Sequence, residues 1–324
     1  MKKIILQDNG KCLICSHYCK IKNNRLGVCK KIKNINGILY SLNDGITIAN
    51  PEPVEKKPLF HFMPGTMTYS VGAPGCNFRC LGCQNYELTK TGDITDVYKI
   101  DIIKNAKDNN CQSISYTYSD PSVFFDYIIE TAEQAKNNKL KNIMITNGYL
   151  SKEALNIAGK YIDAMNIDLK FFNDISYRRY SGGVLKNVLN NIKKSYELGI
   201  HLEIAVLVIS GLNSSDDELF SLFKFIADID KNIPVHISRF KPFYKAIGKY
   251  KQTTDEDIQK AVDMANKNFL NFIYTESRHN NTICPECNSI IIKRDFLSVS
   301  DNLSVNGKCN KCKTNINIIG EKNV

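Results

Sequence analysis

The sequence predicts an α/β chain whose body, residues 61–280, is a partial (β/α)6 barrel, preceded by a cysteine-rich extension over residues 1–60 and followed by a zinc-ribbon-like module over residues 281–324. Three observations carry this. From Thr66 onward, short β-branched and apolar runs alternate with segments of helical period, the pattern of a parallel sheet with right-handed crossovers. The alternating span is shorter than the roughly 250 residues of an eight-unit barrel, so six units fit it better. Eleven of the twelve cysteines fall in three groups with metal-ligand spacing, and only Cys111 stands alone.

In the extension, Cys12, Cys15, Cys19 and Cys29 can close one metal site. Zinc and an iron–sulfur cluster both suit the spacing. His17, between two of these cysteines, reads as a flanking surface residue, and Gly37–Leu42 reads as a strand. The barrel strands are expected at Thr68–Val71, Ser113–Tyr118, Asn142–Thr146, Ala164–Leu169, Leu202–Val208 and Val235–Phe240. Helical periodicity marks Val123–Lys136, Val188–Leu198 and Leu219–Ile229. Ser215 with Glu218 reads as a capping box, and Gly199 as a helix stop.

The loop leaving the first strand reads Gly75-Cys-Asn-Phe-Arg-Cys-Leu-Gly-Cys-Gln-Asn85, placing Cys76, Cys80 and Cys83 at C-x3-C-x2-C spacing. Three thiolates on one short loop can hold three irons of a [4Fe-4S] cluster and leave the fourth open to a ligand. Structural zinc takes four closed ligands, and catalytic zinc with one open position draws more on His and carboxylate, so zinc explains the triplet poorly.

An α/β barrel presents its reactive groups where strands end, and the polar residues at those ends are the binding candidates. Asn166, Asp168 and Lys170 share one face of the fourth strand by the two-residue period, opposite Ile167 and Leu169. Charges on an inward face need partners, which Asp168 and Lys170 can find in each other or in a zwitterionic ligand. Asp120, before Pro121, suits an N-cap as well as an ammonium acceptor. Thr146 and Asn147 offer hydrogen-bonding side chains ahead of Gly148, a sequence that also suits a plain turn, and His236 lies in the sixth strand.

After the barrel, Cys284-x2-Cys287 and Cys309-x2-Cys312 form two knuckles joined by strand-like Ile290–Ile292 and Leu297–Val299, the pattern of a zinc ribbon. The formal charge of +10 fits a solvated basic surface, and would also suit an acidic partner. The lysines are scattered along helices rather than interleaved with aromatics in a stripe, which argues against nucleic acid. The first eight residues lack the apolar core of a signal peptide and no run approaches a membrane span, so a cytoplasmic location without membrane attachment is expected.

With these residues in view, the chain resembles the radical S-adenosylmethionine (SAM) enzyme of the AmmeMemoRadiSam system, a relative of the activating enzymes of glycyl radical enzymes such as pyruvate formate-lyase. The likeness spans the extension's cysteines, Pro53–Phe62, the cluster loop with Cys83-Gln-Asn, Tyr116–Pro121, Thr146–Tyr149, Asp168-Leu-Lys, His236–Phe240 and the ribbon. It implies a radical SAM barrel, a SAM-chelating [4Fe-4S] cluster on Cys76, Cys80 and Cys83, and reductive cleavage of SAM to a 5'-deoxyadenosyl radical that abstracts hydrogen from a substrate. It further implies SAM contacts at Asn85, Asp120, Thr146, Asp168, Lys170 and His236, and a flavodoxin- or ferredoxin-type electron donor. The sequence departs from the family's usual pattern at Gly82, Tyr86, Asp120 and Tyr274–Ser277. A protein or peptide substrate follows from the activating enzymes by analogy, with a small molecule as the alternative. The reading from another class is a metal-rich basic binding module that docks nucleic acid or a partner protein.

Overall fold

A computed structural model of the chain describes residues 1–91 and 96–320. Eight strands form one sheet in sequence order: β1 (Ile48–Pro53), β2 (Met67–Gly72), β3 (Ser113–Tyr116), β4 (Lys141–Thr146), β5 (Ala164–Asp168), β6 (His201–Val208), β7 (Val235–Arg239) and β8 (Ile273–Tyr274). Strands β2 to β7 are the six expected ones and run parallel. Two edge strands were not expected. β8 adds a short parallel pair, and β1, from the cysteine-rich extension, pairs antiparallel to β2. β1 carries two prolines, which cannot donate to a ladder and so suit an edge strand.

Strand register sorts the side chains into two faces. Ile114, Met144, Met165, Ile167, Leu202, Ile204, Val206, Val235 and Ile237 share the main hydrophobic core. The opposite face is a row of small and polar residues, among them Thr68, Ser70, Ser113, Ser115, Asn166, Glu203 and His236, all buried. Thr68, Ser115, Asn166, Glu203 and His236 find partners in one another or in backbone, while the Ser70 and Ser113 hydroxyls have none among the described residues. Thr68 Oγ1 and Ser115 Oγ lie 2.7 Å apart, and Asn166 donates to the Pro58 carbonyl at 2.7 Å.

The helices follow their sequence signals, with one exception. α1 (Ile102–Asp108), α2 (Phe125–Asn137), α3 (Lys152–Ala158), α4 (Asp174–Tyr180), α5 (Leu185–Glu197), α6 (Asp216–Ile229) and α7 (Asp255–Lys267) fill the crossovers. Ser215 caps α6, accepting from the Glu218 N–H at 3.4 Å, and Gly199 ends α5 with φ +72°. The reciprocal half of the expected capping box is absent, because the Glu218 carboxylate accepts from the Phe172 N–H at 2.7 Å and ties α6 to the loop after β5.

The N-terminal ends of the strands are closed by the ribbon. Phe60, Phe272 and Tyr274 share a hydrophobic cluster with Cys284, Ile291, Ile292, Cys309, Ile316 and Ile318. Arg294 of the ribbon is 1% exposed, lies 4.5 Å from the Phe60 ring and donates to the Phe60 carbonyl. Inside, the Glu203 carboxylate accepts from the Phe60 and His61 N–H groups at 2.9 and 2.7 Å and faces His201 and His236 at 3.1 and 2.6 Å. Beside this floor Glu55 is buried; one oxygen accepts from the Gly65 N–H at 2.7 Å and the other has no partner. Burial raises its pKa to about 7.

The Glu55 shift predicts a pH dependence. Between the ordinary carboxyl pKa and about 7 the folded chain holds a proton that the unfolded chain has released, so stability falls as pH rises through that window. Glu55→Gln should flatten this slope and leave the variant on the order of 2–3 kcal/mol more stable than the parent at pH 8. Denaturant unfolding of both proteins at pH 5 and pH 8 checks it; parallel pH profiles would contradict it.

Candidate active site at the strand ends

The loop after β2 is pinned at both ends before any ligand is considered. Phe78 is buried, packs against Tyr149 and Tyr177, and sits where Gly183 leaves room for its ring. The Arg79 and Leu81 N–H groups donate to the Ser181 and Tyr180 carbonyls at 2.8 and 3.1 Å. At its far end Asn85 donates to the Tyr118 carbonyl at 2.7 Å, and Thr89 N–H returns to the Asn85 carbonyl. The loop from Phe78 to Asn85 is thereby fixed against the ends of the strands.

A cavity of about 310 Å³ opens there, and Cys76, Cys80, Cys83, Asn85, Asp120, Thr146, Asn147, Asp168 and Lys170 all line it. The Asp120 carboxylate is a brace: it accepts from Ser122 N–H at 3.0 Å, Thr146 Oγ1 at 2.8 Å and Asn147 N–H at 3.0 Å, joining the loops after β3 and β4. Asn147 in turn donates to Asn77 of the cysteine loop at 2.7 Å. Lys170 Nζ donates to Asp168 Oδ2 at 2.9 Å, so these charges satisfy each other at the mouth. Burial opposes the Lys170 charge, but Asp168 and the Cys80 sulfur outweigh it and hold the amine protonated above its usual range.

The donor set suits a positively charged metal centre. Burial pushes the Cys80 thiol up to about 12 and the Cys76 thiol up as well, with the Lys170 and Lys90 charges countering only in part. Such thiols become good ligands when a cation replaces their protons. Cys76 Sγ already accepts from the Phe78 N–H at 3.3 Å, and Cys83 Sγ lies 3.2 Å from Thr89 Oγ1. Phe171, Ile145, Leu207 and Ile209 supply an apolar wall.

His236 does not join this group. It is the second residue of β7 and faces the interior row, but one layer deeper, against Glu203, Phe60 and Tyr274. The residue of β7 that reaches the cavity is Ser238, two positions on, a step that the strand period itself supplies. Lys90 and Tyr180 also line the cavity and had no signal in the sequence, since the single helical turn Glu87–Thr91 after the loop and the end of α4 bring them in. The departure at Gly82 has a steric cause. A Cβ there would stand 2.3 Å from Tyr180 Oη and 2.5 Å from Phe240 Cε2, so these rings fill the space a side chain would take.

The ribbon cysteines form a second donor set at the opposite end of the barrel. Their four sulfurs all lie within 4.8 Å of one another, with Cys284–Cys312 and Cys287–Cys309 at 3.5 and 3.6 Å. Sulfurs bound tetrahedrally to a single zinc would be about 3.8 Å apart, so the set suits one ion of that size.

Comparison with known proteins adds four findings. The Radical SAM superfamily profile matches residues 70–226. An uncharacterized protein of Methanocaldococcus jannaschii is 36% identical over 97% of this chain and 97% of its own. The 4-hydroxyphenylacetate decarboxylase activating enzyme of Clostridium scatologenes is 27% identical over 48% of this chain and 49% of its own. Among solved structures, SuiB of Streptococcus suis aligns with a TM-score of 0.51 and 18% identity over 69% of this chain and 53% of that one, a likeness of fold. Among the described residues no helix is long and apolar enough to cross a membrane.

The packing around Gly82 gives a test of the site's geometry. Gly82→Ala should lower stability by about 1–3 kcal/mol through overpacking, and adding Tyr180→Phe should restore part of the loss by removing the nearest clashing atom. Thermal unfolding of the two variants reads this out; additive losses would contradict it.

Proposed function

Because this chain belongs to the radical SAM superfamily and is an enzyme, we propose that Cys76, Cys80 and Cys83 hold a [4Fe-4S] cluster whose open iron takes SAM in the cavity at the strand ends. The observation that carries this is the convergence of three cysteines and the Asp168–Lys170 pair on one cavity. When bound, the cluster supplies the electron that cleaves SAM to methionine and a 5'-deoxyadenosyl radical, which abstracts hydrogen from a substrate.

The chain's own residues do the positioning. Asp168 and Lys170 exchange their mutual contact for the ammonium, carboxylate or ribose of SAM, a trade of equal charges. Asp120, held by three donors and lining the cavity, would accept from the SAM ammonium, and Thr146, Asn147 and Asn85 are the remaining polar contacts. Phe171, Ile145, Leu207 and Ile209 exclude water from the reacting carbon. His236, lying with Glu203, serves the barrel floor in this reading rather than SAM.

Resemblance to the AmmeMemoRadiSam enzyme and to activating enzymes favours a protein or peptide substrate, with zinc in the ribbon as a staple and a flavodoxin- or ferredoxin-type donor in the cytoplasm. The residue pattern that would support the competing nucleic-acid module, a basic stripe with interleaved aromatics, is not what the cavity presents.

Anaerobic, reduced protein should convert SAM to 5'-deoxyadenosine and methionine. Lys170→Ala should raise the SAM concentration needed by about tenfold to a hundredfold while leaving iron content unchanged, since it removes a charged partner and no thiolate. Intact SAM after incubation with cluster-replete protein would contradict the proposal. For the ribbon, elemental analysis should give one zinc per chain that is lost in Cys287→Ser/Cys309→Ser together with thermal stability; iron at that site would contradict the staple.

A further inference from the structure

The four cysteines of the extension form a built thiolate site beside the cavity. Backbone hydrogen bonds fold the cysteine-bearing segment back on itself: Cys12 N–H donates to the Cys19 carbonyl at 2.9 Å, and Tyr18 N–H to the Cys15 carbonyl at 3.0 Å. Cys19 Sγ lies 3.7 Å from the Cβ position of Gly27, two residues before Cys29, so the four converge. They do so at a wider spacing than the ribbon's. Among the described residues, the ribbon cysteines are the set whose ligand atoms all lie within 4.8 Å of one another. One zinc ion demands that compactness from all its sulfurs, whereas a cluster that takes one sulfur per iron spreads them apart.

The site brackets Cys76. His17, between Cys15 and Cys19, bonds through Nε2 to the carbonyl of Asn77 at 2.8 Å, and Asn77 follows Cys76. On the other side the Cys29 carbonyl lies 3.3 Å from the Cβ position of Gly75, which precedes Cys76. The extension is also bonded to the loop after β4, Ser16 N–H to the Tyr149 carbonyl and Ser151 N–H to the Ile14 carbonyl, both at 3.0 Å. Contact on three sides makes the two cysteine sets one rigid unit.

Above the site lies a surface of one sign. Residues 20–33 carry six basic side chains and no acidic one. Lys20, Lys22, Arg25 and Lys30 are exposed there, around Leu26 at 46% and Val28 at 58% exposure. A basic rim with two bare aliphatic groups at its centre complements a small acidic protein with an apolar contact at its own redox group.

We infer that Cys12, Cys15, Cys19 and Cys29 hold a second iron–sulfur cluster, and that the basic loop between Cys19 and Cys29 is the docking face for a small acidic one-electron carrier of the ferredoxin or flavodoxin class. The docking half rests on the proposed SAM chemistry; the metal half does not. One electron leaves the reduced carrier, and one electron is what each cleavage of SAM consumes, so no further reductant is needed.

The test uses the full chain, reconstituted anaerobically. The triple variant Cys76→Ala/Cys80→Ala/Cys83→Ala, with the extension untouched, should keep about four iron and four sulfide, roughly half of the wild-type content, and a reduced-state electron paramagnetic resonance signal that SAM does not alter. Cys19→Ser should show the complement: half the iron, with the SAM-sensitive signal retained. A triple variant free of iron, or one carrying a second zinc, would overturn the cluster. Failure of the SAM reading would appear separately, as a wild type with full iron and no SAM-sensitive signal. For docking, Lys22→Glu/Lys30→Glu should weaken binding of a reduced flavodoxin or ferredoxin about tenfold in an anaerobic titration at low salt, while Lys249→Glu, on the loop after β7, should not. Equal effects of the two reversals, or none, would overturn the docking face.

Discussion

A buried thiol cannot ionise without a positive charge to meet it, and this constraint organises the molecule. Burial raises the Cys76 and Cys80 thiols even with Lys170 and Lys90 near, so a cation that takes the protons' place would meet sulfurs the fold otherwise keeps neutral. The fold supplies what such a centre needs beforehand. Phe78 and the backbone bonds to Tyr180 and Ser181 fix the loop, and the Asp120 brace fixes the two strand ends facing it. Preorganisation of this kind keeps ligand geometry from being bought with disorder elsewhere.

The two ends of the barrel have opposite tasks. At the strand starts, Glu203 is met by two N–H groups and two histidines and is shut from solvent, and Arg294 closes the floor from the ribbon. At the strand ends, polar groups are paired but accessible, as with Asp168 and Lys170, whose side chains remain 40% and 17% exposed. The extension belongs to the reactive end. Ile4, Ile14, Ile21, Ile32 and Leu39 share the main core, while Phe60 and Phe62 reach the floor, so residues preceding the barrel touch both of its ends.

What the sequence made legible was whatever depends on local period and spacing. The six parallel strands, the three cysteine groups and the polar face of β5 follow from patterns a few residues long. What escaped depends on contacts between distant segments. β1 carries prolines and reads as loop until β2 is beside it. Glu218 has the spacing of a capping box, but Phe172, brought near by the turn after β5, competes for its carboxylate. His236 was placed at the correct face and the wrong depth, because the two-residue period gives a side chain's direction and not its layer; Ser238 occupies the layer that meets the cavity. Gly82 read as a bare departure from the family's pattern, and the space a side chain would take there is filled by Tyr180 and Phe240 from elsewhere in the chain.

The central claim is that the iron left open by Cys76, Cys80 and Cys83 is chelated by SAM. Electron–nuclear double resonance on the reduced protein with SAM labelled with nitrogen-15 at its amino group tests it most directly. The account predicts a hyperfine coupling from the labelled nitrogen to the cluster, present in the wild type and absent when Cys83 is replaced by alanine. A reduced, intact cluster with saturating SAM and no coupling from the label would contradict it.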